Sequence, residues 1–336
     1  TLYRLENKQK LWYTQLQLRY QEDMMSPYQT YAEKPKEFLA LTGYTREEFD
    51  ALLPHFEAAF LERMRTYRLD GRPRSTRSYS SYQNSPLPQS TDKLFFILVY
   101  LKTNNLQMMH AAFFQMTQPQ ANLWIHCLIP CLAQALTALG EMPARTMDEV
   151  AWDTETTLYF HDGVERPIPR PTDPEAQRQY YSGKKKQHTL KNLTLNDAAC
   201  KIRFLSVTVE GKKHDKKVAD EQAYRLPAGS RLLQDTGFQG FSVPEVQIVQ
   251  PKKKPRGQPL SDVDKHCNQW IGSLRVRAEH TISGVKRYRI VKERIRNWKA
   301  GFRDRVLAIC CGLHNFRLNF RPWHYPPLQL HLFVNF

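Results

Sequence analysis

Three carboxylates stand where they could do chemistry together: Asp162 after the run Thr157 to His161, Asp235 after Arg231 to Gln234, and Glu279 inside a charged helical stretch. The first two close short strand-like segments, and the third lies on a helix able to pack across them. Hard cations take oxygen ligands, and a two-metal site needs carboxylates arriving from separate elements. Such a trio fits two Mg²⁺ ions, with Mn²⁺ as a substitute, and phosphodiester cleavage or transfer as the chemistry. Asp153 rivals Asp162, because Trp152-Asp153-Thr154 could also end a strand, but Thr157 to His161 is the better β run. For Asp235 the plainer account is a turn aspartate capping Thr236 or Gly237, although Gly237 and Gly240 would also let backbone approach a ligand closely.

Positioning these residues takes a sheet and a covering helix. Residues 157 to 161, 188 to 196 and 200 to 209 alternate or run apolar like strands, the last two turning near Asp197 to Ala199. Asp215 to Tyr224 then reads as a helix, Arg231 to Gln234 and Val246 to Val249 as strands. Ile271, Leu274, Ala278, Ile282 and Val285 form an apolar stripe at helical spacing, while Arg275, Glu279, Ser283 and Lys286 share another face. A surface ion pair between Arg275 and Glu279 is the simpler account of those two residues alone. Only 44 positions separate Asp235 from Glu279, leaving room for one strand and the basic loop Lys252 to Gly257.

The motifs follow one another in a telling order. His161-Asp162-Gly163-Val164-Glu165-Arg166-Pro167-Ile168 precedes Tyr181-Ser182-Gly183-Lys184-Lys185-Lys186-Gln187-His188-Thr189-Leu190-Lys191; then come His214-Asp215, Gln234-Asp235-Thr236-Gly237-Phe238-Gln239-Gly240 and Arg275-Val276-Arg277-Ala278-Glu279-His280. From about Thr91 to Leu318 the chain resembles bacterial insertion-sequence transposases of the DDE type. The resemblance implies an α/β fold: an RNase-H-like catalytic core, a mixed sheet flanked by helices, preceded by an all-α N-terminal helix-turn-helix region. It implies catalytic metal ligands at Asp162, Asp235 and Glu279, and an enzyme that nicks transposon ends and joins the exposed 3′-hydroxyl to target DNA. Lys184, Lys185, Lys186, His188 and Lys191 fall where the family has its glycine-lysine run and would grip the scissile strand; Arg275 and Lys286 would hold phosphates. The tyrosine that precedes this arginine in many relatives is replaced by Gly272. Asp215 matches a family motif, but helix capping accounts for it equally well, and His280 reads as structural. Cutting two ends together implies double-stranded DNA as partner and a homodimer or larger assembly. A catalytically idle regulator that binds specific DNA, and a nuclease acting on RNA-DNA hybrids, are the alternatives.

Charge agrees with a nucleic-acid partner. Lys and Arg number 49 against 33 Asp and Glu, a formal charge of +16 with a pI near 9.6, and neutralising phosphates releases condensed counterions. No apolar run reaches the roughly 18 residues of a spanning helix, and the N-terminus is too polar for a signal peptide. The chain begins at Thr1, which leaves room for trimming. The six cysteines lack zinc spacing and read as reduced thiols of a cytoplasmic, nucleoid-associated protein.

Five segments are expected: a helical region over 1–62, a basic Ser/Pro-rich linker over 63–90, a helix-turn-helix over 91–140, the catalytic domain over 150–320 and a tail over 321–336. An amphipathic helix is expected over residues 2 to 24, and a capped one from Thr45. Arginines 63, 65, 68, 72, 74 and 77 suit a linker that stays mobile until it meets DNA. Helices over Lys93 to Lys102, Leu106 to Phe114 and Pro119 to about Leu128 suit a helix-turn-helix with its second helix in the major groove. Gln118, Gln120, Asn122 and His126 are then the candidates for base-edge or phosphate contact; a helical bundle without DNA contact is the plainer reading.

Overall fold

The computed structural model describes residues 25–75, 78–80, 85–152 and 156–325. The expected helix over residues 2 to 24, Asp153, Arg77 and the end of the tail lie outside the described residues. The chain forms two compact units, one of residues up to Gly140 joined by Arg287–Glu293, the other of Glu141–Lys286 and the residues from Arg294 onward.

The first unit is helical. It comprises α1 (Pro27–Ala32), α2 (Pro35–Thr42), α3 (Arg46–Thr66), α4 (Ser90–Thr103), α5 (Gln107–Phe113) and α6 (Gln118–Ala138). Thr45 and Glu48 close a reciprocal capping box on α3, as do Thr117 and Gln120 on α6, so each helix starts where its first N–H groups find side-chain acceptors. Every residue of α4 from Leu94 to Leu101 is buried, which makes it the central helix, with Phe38, Phe49 and Phe60 in the surrounding core. Lys93 is buried too; its ammonium donates to the carbonyls of Pro88 and Gln89 and lies 5.1 Å from the ring centroid of Phe60.

Two expectations change here. Arg63 and Arg65 belong to α3, and the chain beyond it makes a tight turn instead of a free linker: Arg68 N–H donates to the Arg72 carbonyl, Arg74 N–H to that of Thr66, and Tyr67 bridges Pro73. The last helix runs to Ala138, ten residues past its expected end. Among the described residues α6 is also the one helix long and apolar enough to cross a membrane, a property the composition did not announce, and 56% of that stretch is buried within the protein.

The second unit is built on a mixed sheet. Its elements are β1 (Leu158–Pro167), α7 (Pro174–Tyr180), β2 (Tyr181–Ser182), β3 (Gln187–Asp197), β4 (Ile202–Leu205), β5 (Val209–Glu210), α8 (Asp215–Asp220), β6 (Arg231–Gln234), β7 (Gln247–Val249) and α9 (Asp262–Val285). β3 pairs antiparallel with β1, and β4 antiparallel with β3; β6 runs parallel to β1, and β7 parallel to β6. The order β4-β3-β1-β6-β7 is that of an RNase-H-like core. α10 (Arg289–Lys292) then packs in the first unit, burying Ile290 and Val291, before α11 (Phe302–Leu318) completes the second.

Strand alternation divides the side chains between two cores. Leu158, Phe160 and Leu233 face Ile271 and Ala278 of α9, as the apolar stripe predicted. Tyr159, Leu193, Leu195 and Leu232 face Val218 and Ala219 of α8 on the opposite side. β1 is twice the expected length, so Asp162 lies within the strand, paired with Thr194, instead of closing it.

Candidate active site

The last residue pair between β1 and β6 is His161 with Gln234. Asp162 and Asp235 follow directly, where the parallel pairing of β1 with β6 stops, and by alternation both share the face of Phe160 and Leu233, which α9 covers. Asp162 Oδ1 accepts the Gly163 N–H at 2.8 Å, and Asp235 Oδ1 accepts the Thr236 N–H at 2.7 Å. From α9, Arg275 places Nη1 3.5 Å from Asp235 Oδ1. Burial pushes the Asp162 carboxyl above the ordinary carboxylate range; the Gly163 N–H and Arg275 oppose this, while Asp235 and Asp215 reinforce it.

Asp162, Asp235, Asp215 and Arg275 therefore gather at one end of the sheet. Glu279 lies one turn beyond Arg275, exposed to solvent, and among the described residues no three His, Cys, Asp or Glu side chains stand close enough together to hold an ion. Arg275 accordingly pairs with Asp235 and not with Glu279. The donor set at Asp162 and Asp235 suits a hard divalent cation. Carboxylates from separate strands crowd a largely buried position where Arg275 is the cation acting on Asp162, and added positive charge would relieve that crowding.

The other side chains expected at the site divide. Lys184, Lys185 and Lys186 form the exposed turn between β2 and β3; His188 is half-buried, edge-on to the Tyr181 ring. Lys191 does not face solvent, contrary to its expected place on DNA. Its side chain is 7% exposed, its ammonium donates to the Lys213 carbonyl at 2.6 Å, and it lies 2.8 Å from Asp215 Oδ1 and 3.8 Å from Glu165 Oε1. The pairing of Glu165 with Lys191 follows from the β1–β3 register, which the shorter expected strand concealed. His161 is buried, its Nε2 2.7 Å from the Tyr224 hydroxyl, and burial lowers its pKa to about 3, so it stays neutral. Lys286 caps the end of α9.

In the helical unit, α5 and α6 meet at a tight turn with Gln115 in the left-handed region, φ 51°. Gln118 and Asn122 both donate to Gln107 Oε1, at 2.7 and 3.1 Å, so these amides tie the two helices together. Gln120 is exposed at the start of α6, with its carbonyl oxygen in the capping box, and His126 is half-buried.

Two aspartates side by side where a parallel strand pairing stops, covered by a helix carrying Arg275 and Glu279, define a class that the comparisons with known proteins identify. Residues 161–315 match the family of DDE superfamily endonucleases, and residues 85–138 match the helix-turn-helix of DDE superfamily endonucleases. Both matches are to DDE superfamily endonucleases, with the helix-turn-helix N-terminal to the endonuclease region. It is 28% identical over 168 residues to a probable transposase for insertion sequence element IS702 from Microchaete diplosiphon, a stretch covering 49% of this chain and 59% of that relative. No solved structure matches the chain.

Proposed function

We propose that this protein is a DNA transposase that binds the inverted repeats at transposon ends, cleaves the DNA and transfers the 3′-hydroxyl end to target DNA. The observation that carries the reading is that Asp162 and Asp235 stand side by side where the parallel pairing of β1 with β6 stops, under the helix bearing Arg275 and Glu279. Asp162 and Asp235 would hold the divalent ions, Mg²⁺ or Mn²⁺, and Glu279 is the third candidate ligand. The chemistry that two bound ions supply is activation of the attacking water or 3′-hydroxyl and stabilisation of the leaving oxygen. Arg275, already beside the carboxylates, orients the scissile phosphate as a guanidinium donor. Lys184, Lys185, Lys186 and the loop at Lys252 supply sequence-independent attraction for the strand. Gln120 heads the side chains proposed for end recognition, with Gln118, Asn122 and His126 beside it, and joining two ends calls for a homodimer or larger assembly.

Incubating the protein with labelled duplexes carrying the DNA that flanks its gene, with Mg²⁺, tests the reading. Strand cleavage at the element's ends, lost on Asp162→Ala, Asp235→Ala or Glu279→Ala while end binding stays within a few-fold, is the expected result. Specific binding without cleavage at any metal concentration would favour the idle regulator.

A further inference from the structure

Asp215 meets the backbone of both aspartate-bearing segments. A Cβ built on Gly163, the residue after Asp162, would lie 3.4 Å from Asp215 Oδ1; one built on Gly237, two residues after Asp235, would lie 3.1 Å from Oδ2. Two independent glycines thus leave room for one carboxylate. Gly163 has the parity of Tyr159 and His161, so Asp215 approaches from the α8 face of the sheet, while the Asp162 side chain points to the α9 face. Asp215 stands behind the strands that carry the ligands.

What fixes it there is Lys191. Its ammonium sits among Asp215, Glu165 and the Lys213 carbonyl, and Glu165 is held in turn by the Thr189 hydroxyl at 3.0 Å. Without Asp215 the buried ammonium would keep only the more distant Glu165, and without Lys191 the half-buried Asp215 carboxylate would lose its counter-ion. We propose that Lys191 and Asp215 form a positioning pair for the metal centre: Asp215 is a wedge behind Gly163 and Gly237 that sets the separation of Asp162 and Asp235, and Lys191 is its counter-ion, with neither residue binding metal or DNA. This rests on Asp162 and Asp235 being the metal ligands. Lys191 also offsets part of the charge that Asp215 adds behind the centre.

The test uses the full chain with Lys191→Met, Asp215→Asn, the double variant and Gly237→Ala. Mn²⁺ binding without DNA is measured by calorimetry, alongside nicking of a supercoiled plasmid carrying the gene's flanking DNA and thermal melts. Each charge variant should slow nicking about tenfold or more while Mn²⁺ affinity moves in opposite directions, several-fold tighter in Lys191→Met and several-fold weaker in Asp215→Asn. The double variant should return Mn²⁺ affinity to within about twofold of wild type and nick faster than either single variant. Gly237→Ala keeps every charge but presses a methyl on Asp215, and should slow nicking about fivefold or more. Loss of Mn²⁺ binding by about thirtyfold in both Asp215→Asn and the double variant would make Asp215 a ligand and overturn the proposal. So would a reduced salt dependence of DNA binding in Lys191→Met, uncorrected in the double variant, since that marks a phosphate contact. Rates that merely follow lowered melting temperatures, or full nicking by Gly237→Ala, would overturn it as well. Failure of the underlying reading shows elsewhere: wild-type protein and Asp162→Ala would bind Mn²⁺ alike.

Discussion

Arg275 reaches Asp235 across the interface between α9 and the sheet, its Nη1 3.5 Å from Oδ1, with the Arg275 side chain 16% exposed and that of Asp235 36%. The guanidinium thus stands at the carboxylates where a scissile phosphate would be presented. Arg275→Ala should slow strand cleavage about tenfold or more and reduce the log-log salt slope of DNA binding by about 0.9, one phosphate contact. Binding across a salt series checks this; an unchanged slope with a lowered melting point would leave Arg275 only its ion pair.

Asp162 carries a stability cost that follows pH. Its folded-state pKa is raised, so the folded protein favours the protonated form, and stability falls as pH rises through the unfolded value and on to the folded one. In chelator at neutral pH, Asp162→Asn should therefore melt higher than wild type by about 2–4 °C. The difference should shrink toward pH 4, and divalent metal should raise the wild-type melting point more than that of the variant. Melting curves at several pH values with and without Mn²⁺ provide the check.

Lys93 predicts the reverse slope at alkaline pH. Burial lowers its pKa to about 8, against neighbouring Asp92 and Glu57, which raise it. Between that value and the ordinary 10.5 the unfolded chain binds more protons, so stability should rise with pH across this window. Lys93→Met should flatten that rise. Urea titrations at pH 7.5, 8.5 and 9.5, followed by the fluorescence of Trp124 beside Lys93, report it.

Gly284 stands against His314, whose Nδ1 would lie 2.4 Å from a Cβ at that position and whose Nε2 is 3.0 Å from the Cys200 carbonyl. Gly284→Ala must displace a buried ring that ties α11 to the β3–β4 turn, and should cost about 1–3 kcal/mol. Chemical denaturation measures the loss; a cost near zero would mean that the ring moves freely.

Alternation and helical spacing made much of this architecture readable. Phe160 and Leu233 against Ile271 and Ala278 were implied by two periodicities, 2 and 3.6, meeting at one core. Asp162 and Asp235 were visible because each follows an apolar run. The partner of Lys191 was hidden, since its burial depends on β1 continuing to Pro167 through the polar residues Asp162, Gly163, Glu165 and Arg166, which read as the end of a strand. In the structure Arg166 is buried, donating to the Arg303 carbonyl and to Asn192 Oδ1, so polar partners compensate for the missing apolar pattern. Asp215 stayed open between a family motif and a helix cap because no local signal distinguishes a cap from a carboxylate aimed at two distant glycines. α7, with no buried residue, offered no periodicity to read.

The return of Arg287–Glu293 to the helical unit makes that unit discontinuous in sequence. The hydroxyl of Tyr288 donates to that of Tyr44 at 3.0 Å, and Tyr288, Ile290 and Val291 are all buried. A cut after Gly140, where the first unit's main piece ends, would strip three apolar side chains of their cover and leave the N-terminal fragment without part of its core. Exchange of the helical unit between relatives would therefore have to carry both pieces of chain at once.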